Sequence, residues 1–351
     1  MSSSNDRTVL VTGGAGYIGA HTAKALSERG YRPIIYDNLS SGFREAARWG
    51  ELVEGDIRDE APLMHAFRAH DIKAVIHFAG VIEVGRSTRQ PDLFWEINVA
   101  GTRSLLTAMH ASGVERLVFS SSAAVYGEGG RLPLEAIPEE APKAPASPYG
   151  DTKLACEWMI AGQCRAYGLT AVALRYFNAA GADPSGLIGE AHEPETHLIP
   201  LAMAAGLGDG KPLTIFGADF NTPDGTCLRD YIHVNDLAAA HVAALDVALP
   251  RGAFEAVNVG TGQGHSVRDV MDAVVAALGR PVPHTVGGRR AGDPPSLVAN
   301  PSRAKELLGW EPVCSSLDQI VRDALRWEAQ PRYGTGVRGP EGRHRSDPDG
   351  S

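Results

Sequence analysis

Long apolar runs are missing from this chain: none approaches the ~18 residues needed to cross a bilayer, so no membrane span is expected. The opening segment, MSSSNDR, has neither the basic start nor the apolar stretch of a secretory signal. A cytoplasmic protein is therefore expected. Positive charge is also scarce, since 33 Lys and Arg face 42 Asp and Glu and leave a net charge of −9. That balance disfavours nucleic acid and anionic membrane as partners, so any phosphate site has to be local. Cysteine is rarer still. Cys156, Cys164, Cys227 and Cys314 form no CxxC pair and no zinc spacing, which leaves no metal motif and favours buried free thiols.

What the chain does have is apolar content, 43% of 351 residues, enough for a sizeable core. From Arg7 to about Tyr176, β-branched runs (RTVLVTG, YRPIIYD, ELVEGD, KAVIHFAG, VERLVFSSS, LTAVALRYF) alternate with helical patterns. That rhythm predicts parallel strands joined by helical crossovers. Wholly apolar strand centres such as VLV and AVAL predict a sheet covered on both faces. The expected fold is α/β, a doubly wound parallel Rossmann sheet over residues 5–177, with 232–260 returning to it. Gly- and Pro-rich stretches after Asn178 predict a smaller substrate-binding α/β domain from 178–231 and 261–329. Residues 331–351 are polar and Gly-rich, and a disordered tail is expected there.

The first strand runs into Gly13-Gly14-Ala15-Gly16-Tyr17-Ile18-Gly19 and then a helical pattern. Gly13, Gly16 and Gly19 clear side chains where backbone turns, approaches a pyrophosphate and packs helix on strand. The spacing is GxxGxxG rather than GxGxxG. Asp37, 18 residues after Gly19, ends the second strand, where a carboxylate bonds an adenosine ribose and repels a 2′-phosphate, favouring NAD. Asp56 either lies near the adenine or caps the following helix.

The fifth strand delivers Ser120-Ser121-Ser122. Tyr149 and Lys153 follow four apart at the start of a helix primed by Ser147 and Pro148, so both project from one face. A free tyrosine titrates near about 10; a neighbouring ammonium and a cationic nicotinamide would lower it. Tyr149 is then a candidate to move a sugar hydroxyl proton, with Ser122 holding that hydroxyl in line.

These motifs resemble the extended short-chain dehydrogenase/reductase family, and within it the UDP-glucose 4-epimerases. GGAGYIG, YDNLSSG, GDIRD, HFAG, FSSSAAVYG, SPYGDTK, LRYFNAAGA, THLIP, IFG, DGTCLRDYIHVNDLA and RRAGDPP occur in family order from about Thr8 to Trp327. The resemblance implies an NAD-dependent isomerase that interconverts UDP-glucose and UDP-galactose by transient oxidation at sugar C4. It implies that Gly13, Gly16, Tyr17, Ile18, Asp37, Asn38, Asp56, Ile57, Phe78, Ala79, Gly80, Asn98, Tyr149, Lys153 and Phe177 surround NAD, and that Ser122 and Tyr149 act on the sugar. UDP would lie against Asn178, His197, Leu198, Thr214, Ile215, Phe216, Arg229, Arg290 and Asp293. Arg229 and Arg290 are forked donors suited to a diphosphate, and Asp293 to a ribose hydroxyl, although either arginine serves equally in a structural ion pair. The resemblance also implies a homodimer built on the helices at 92–111 and 149–167, whose apolar faces fit the sheet equally well.

Two positions depart from the family pattern. Val81-Ile82-Glu83 occupies the loop where many epimerases carry a lysine for the nicotinamide ribose. Leu297, of intermediate size, stands at a position that tunes acceptance of N-acetylated sugars. Epimerases of UDP-pentoses or uronates are near rivals. A 4,6-dehydratase needs an acidic pair after Ser122, where this chain has Ala123-Ala124, and a non-catalytic NAD sensor has no use for Ser122, Tyr149 and Lys153 together.

Overall fold

The computed structural model describes residues 7–127, 135–208, 210–290 and 293–334. Strands β1 (Thr8–Thr12), β2 (Arg32–Asp37), β3 (Glu51–Glu54), β4 (Ala74–His77), β5 (Arg116–Ser120) and β6 (Thr170–Tyr176) join strand Phe254–Val259 in one seven-stranded sheet. The order is Phe254–Val259, β6, β5, β4, β1, β2, β3, and every pairing is parallel. The chain order reverses between β1 and β4, and the crevice beyond their carboxyl ends is where doubly wound folds bind ligands.

The strand centres are apolar on both faces because both are covered. Leu10, Ile34, Val75 and Leu117 meet Leu63 and Phe67 of helix Glu60–His70, Leu105 and Met109 of Gly101–Ala111, and Ile160 of Pro148–Tyr167. Their neighbours Val9, Val11, Ile76 and Val118 point the opposite way, onto Leu26 of helix Tyr17–Glu28 and Leu237 of Val234–Asp246. This period of two is what a pleated strand imposes.

A separate core gathers helices Leu198–Leu207, Val267–Leu278 and Leu317–Ala329 around Leu213, Ile215 and Tyr231. Short strand pairs accompany it: Leu213–Phe216 with His284–Gly287, Tyr231–His233 with Asn178–Ala180, and Leu228–Arg229 between His265–Ser266 and Ser296–Leu297.

The expected disordered tail needs a correction at its start. Tyr333 is buried, stacks on Phe43, meets the Trp327 ring at a tilt and bonds the Gly189 carbonyl through its hydroxyl, so the backbone there is held by an aromatic ring on an existing apolar surface and a hydrogen bond. Residues 335–351 lie outside the described residues. All four cysteines are free; Cys156, Cys164 and Cys227 are buried and Cys314 half-buried.

Candidate active site

The site begins at the turn after β1. Gly13 has φ +70°, and a side chain there would stand 2.6 Å from the Ala79 amide nitrogen, so two loops meet backbone to backbone. At Gly19 a Cβ would stand 2.2 Å from the Gly13 carbonyl oxygen, which is how closely the helix packs on the turn. Gly16 occupies the cap position of helix Tyr17–Glu28, where no side chain bonds the first-turn amides. Tyr17 and Ile18 open that helix, so their amides are presented to the crevice and suit an anion.

Asp37 lies at the end of β2, nearly buried. Its two oxygens accept from the amides of Ala15 and Leu39, at 2.9 and 2.8 Å. Burial nevertheless raises its carboxyl above the usual range. Asp56 accepts from Asn38 at 2.9 Å and from the Arg58 guanidinium and amide, and the Arg58 hydrogen bonds hold it well below the usual carboxylate range. It does not cap the next helix, since that position falls to Asp59. Ile57 is buried and packs over Gly101.

Beyond β4, Phe78, Ala79 and Gly80 form the opposite wall. The buried amide of Asn98 both donates to and accepts from Val81, at 3.0 and 2.8 Å, and donates to Thr152 at 3.1 Å. It thereby ties this loop to the helix that carries Tyr149. Asn98 sits in a π-helical stretch, Trp95–Ala100, a geometry frequent at functional sites.

The three serines ending β5 divide their work. Ser120 gives its carbonyl to Lys153 Nζ at 2.7 Å and pairs its hydroxyl with Tyr176 at 2.8 Å. Ser121 donates to Glu157 at 2.5 Å. Ser122 accepts from the Ala124 amide at 3.1 Å, and its hydroxyl favours a lower Tyr149 pKa. Ser147 caps helix Pro148–Tyr167, and Tyr149 and Lys153 are both buried on its inner face. Burial brings Lys153 down to about 8. Burial, with the Tyr176 phenol beside it, pushes Tyr149 well above its ordinary value, which the Ser122 hydroxyl only partly opposes. Lys153 Nζ lies 5.9 Å from the Tyr149 ring centre, bonded elsewhere, so the ammonium does not activate the phenol by direct contact.

On the other side of the crevice the UDP candidates spread over several elements. Asn178 opens strand Asn178–Ala180, and Phe177 and Leu297 each pack against the cluster of Ala123, Val125, Tyr126, Ile137 and Leu154. Leu297 pairs with Arg229 across two short strands. Thr214, Ile215 and Phe216 lie together on strand Leu213–Phe216, and the exposed Arg290 guanidinium stands 3.8 Å over the Phe216 ring. Arg229 pairs with Asp293 at 2.8 Å and gives its other terminal nitrogen to the carbonyls of Leu228 and Pro294. Leu198 starts helix Leu198–Leu207, and His197 caps it with its ring 2.8 to 2.9 Å from Glu190 and Glu195.

Several buried polar groups that hold this site were not singled out from the sequence. Asp230 accepts from the amides of Thr261, Gly262 and Ala299, fixing the turn beyond strand Phe254–Val259. Glu157 and Arg175 pair at 2.6 Å beneath the serines. The only local signal for them was a charged residue inside an apolar period, which reads equally well as a surface position.

A glycine turn feeding a helix N-terminus, a carboxylate at the end of β2 and a Ser-Tyr-Lys set over the same crevice define a dinucleotide-binding enzyme of the short-chain dehydrogenase type. Residues 9–260 match the NAD dependent epimerase/dehydratase family, and the chain belongs to it. It is similar to a UDP-glucose 4-epimerase of Rhizobium leguminosarum bv. trifolii, 49% identical over 92% of this chain and 98% of that protein. Among solved structures it is similar to the Brucella ovis UDP-glucose 4-epimerase in complex with NAD, with TM-score 0.86, 49% identity and coverage of 92% of this chain and 98% of that one. The Bifidobacterium longum UDP-glucose 4-epimerase in complex with NAD+ and UDP gives TM-score 0.86 at 38% identity, over 92% and 98% of the two chains.

Proposed function

We propose that this enzyme interconverts UDP-glucose and UDP-galactose by oxidising and re-reducing the sugar at C4, with NAD as its resident cofactor. The observation that carries the reading is the set of Ser122 at the end of β5 and of Tyr149 and Lys153 buried on one face of helix Pro148–Tyr167, with Lys153 tied to the Ser120 carbonyl, together with the glycine turn at Gly13 packed on Ala79. The backbone cradle at Gly13, the first-turn amides at Tyr17 and Ile18 and the carboxylate of Asp37 suit a diphosphate flanked by a ribose. Those residues, with Asn38, Asp56, Phe78, Ala79, Gly80, Lys153 and Phe177 around them, would hold the dinucleotide.

When bound, NAD supplies a reversible two-electron acceptor and a positive ring charge. This chain's residues do the rest. Tyr149 takes the proton of the sugar 4-hydroxyl as the carbon is oxidised, and returns it after the 4-keto sugar has turned over to present its other face. Ser122 holds the oxygen in line throughout. Lys153, fixed by the Ser120 carbonyl, keeps the helix register and a positive field at the ribose side. Arg290 and the backbone near Leu198 and Phe216 hold the UDP half, so the sugar is free to rotate. The net reaction is redox-neutral, so no external reductant is consumed.

We also assign a homodimer through the helices at 92–111 and 149–167. Ile160 and Cys164 face the sheet, whereas Trp158, Tyr167 and Trp95 stand on the outside, 67%, 51% and 43% exposed. A cytoplasmic location rests on the four free thiols. Among the described residues, no helix is long and apolar enough to cross a membrane.

The test is to give the purified protein UDP-galactose with no added cofactor and resolve the sugars. UDP-glucose is expected to form until the two reach equilibrium. Protein that carries NAD and leaves UDP-galactose unchanged overturns the reading.

A further inference from the structure

Between the glycine turn and helix Leu198–Leu207 lies a segment with five ligand-type side chains in eight residues, Glu190-Ala-His192-Glu-Pro-Glu195-Thr-His197, of which Glu190, His192, Glu195 and His197 come together. Their ligating atoms all lie within 4.8 Å of one another. His197 Nδ1 is 2.8 Å from Glu190 and 2.9 Å from Glu195, while His192 Nδ1 is 3.2 Å from Glu190 and 3.8 Å from Glu195. Four ligands about 2.0–2.2 Å from a tetrahedral zinc stand about 3.4 Å from each other. The observed separations bracket that value.

A metal-free brace of ion pairs would need each ring N–H aimed along a line to one carboxylate. His197 meets this with Glu195. His192 does not: its Nδ1 is buried and makes no hydrogen bond, although two carboxylates lie close by. Two imidazoles and two carboxylates whose ligand atoms all lie within 4.8 Å of one another form a set that one cation can bridge. We propose that Glu190, His192, Glu195 and His197 bind one structural zinc ion.

The surroundings fix the ligands as a metal site requires. The Glu190 carbonyl accepts from the Trp327 indole at 2.7 Å, and the Gly189 amide bonds Tyr333 at 3.2 Å. Glu195 Oε1 also accepts from the amides of Thr196 and His197, both at 2.7 Å. His197 is 41% exposed and leaves an entry path. Two imidazole nitrogens with two carboxylate oxygens suit zinc or cobalt and are a poor set for magnesium or calcium.

Placement puts the ion beside the sugar-nucleotide site, since His197 is also a candidate UDP contact, and gives it a structural purpose there. The Tyr17 ring meets His192 edge-on at 6.2 Å, and its hydroxyl donates to the Gly181 carbonyl at 2.6 Å. His197 caps helix Leu198–Leu207. The ion would thus pin the segment that bridges the glycine turn and the UDP side.

The full-length protein is stripped with a chelator and titrated first with Co2+, then with Zn2+. One equivalent of Co2+ is expected to give the intense visible absorption of a tetrahedral site, and Zn2+ to bleach it and raise Tm. His192→Gln and Glu195→Gln should each weaken Zn2+ binding by about tenfold or more, with Tm in chelator unchanged from the parent. Should both variants misfold, the parent spectrum decides alone. No tetrahedral Co2+ band in the parent, a Tm indifferent to Zn2+, or unaltered binding in both folded variants overturns the proposal.

Discussion

Lys153 Nζ donates to the Ser120 carbonyl at 2.7 Å, which places its ammonium on the strand end rather than on the Tyr149 hydroxyl. Proton transfer therefore depends on the phenol itself. If the proposed role of Tyr149 holds, Tyr149→Phe removes the phenol that shuttles the 4-hydroxyl proton, and kcat should fall by about 10²–10⁴. The fold and NAD content should be preserved, because the ring still fills its pocket beside Phe94. Steady-state turnover of UDP-galactose, with bound NAD measured in parallel, checks it. A variant as fast as its parent removes Tyr149 from the mechanism.

The glycine turn separates packing from ligand contact. At Gly19 an added Cβ would stand 2.2 Å from the Gly13 oxygen, whereas at Gly16 the nearest atom is 3.3 Å away. Gly19→Ala should cost about 1–3 kcal/mol of stability, as overpacking does. Gly16→Ala should keep the parent's Tm without cofactor yet retain much less NAD, since the new methyl would stand at the helix N-terminus proposed to meet the diphosphate. Thermal melts of stripped protein and cofactor content after gel filtration distinguish the two. Equal loss of Tm in both variants defeats the argument.

Much of this was legible because it is local. The apolar period of two in VLVT and AVIH, the glycines before helix Tyr17–Glu28 and the Ser147-Pro148 start of the Tyr149 helix are written in neighbouring residues. Where meaning depended on pairing across the chain, it was not legible. Glu157 and Arg175 are 18 residues apart and find each other only once helix and β6 pack. Asp293 reads as a ribose acceptor in isolation, and its pairing with Arg229 needs two distant short strands side by side. His197 is drawn to Glu190 by a turn that no period announces.

Four buried histidines, His21, His77, His233 and His241, weaken the fold at acid pH. Burial lowers His77 to about 3, and His21 and His241 to about 4. In the unfolded chain each titrates near about 6.5. Their depressed folded values mean that the unfolded state binds more protons below that pH, so the stability they allow is complete above about 6.5 and is lost as pH falls toward 4. His77→Gln, which can still meet Thr12 and Thr102, should reduce the dependence of unfolding free energy on pH by about one proton. Urea melts between pH 4 and 7, compared with the parent, test this; an unchanged slope rules it out.

Leu297 packs against the apolar cluster that contains Ala123 and Tyr126, which follow Ser122. A larger residue there narrows the space beside the sugar, and a smaller one widens it. Leu297→Tyr should lower kcat/KM for UDP-N-acetylgalactosamine more than for UDP-galactose, and Leu297→Gly should do the reverse. Identical effects on both substrates would separate this residue from sugar selection.

Glu157 and Arg175 are almost wholly buried, 3% and 5% exposed, and their ion pair is continued through Arg175 to Tyr126 and from Tyr126 to Asn258. A buried pair is costly to break and cheap to replace, because a single substitution strands the remaining charge in a low dielectric. Arg175→Met should therefore cost about 3–5 kcal/mol, whereas Glu157→Leu with Arg175→Met should cost much less than the sum of the two single changes. The Ser121 hydroxyl, which donates to Glu157 at 2.5 Å, sits next to Ser122. The double variant should accordingly fold and bind NAD but turn over slowly, since the strand end that aims Ser122 has lost its anchor. Additive stability losses in a double-mutant cycle, or a double variant with parental kcat, would show that the network neither couples nor positions.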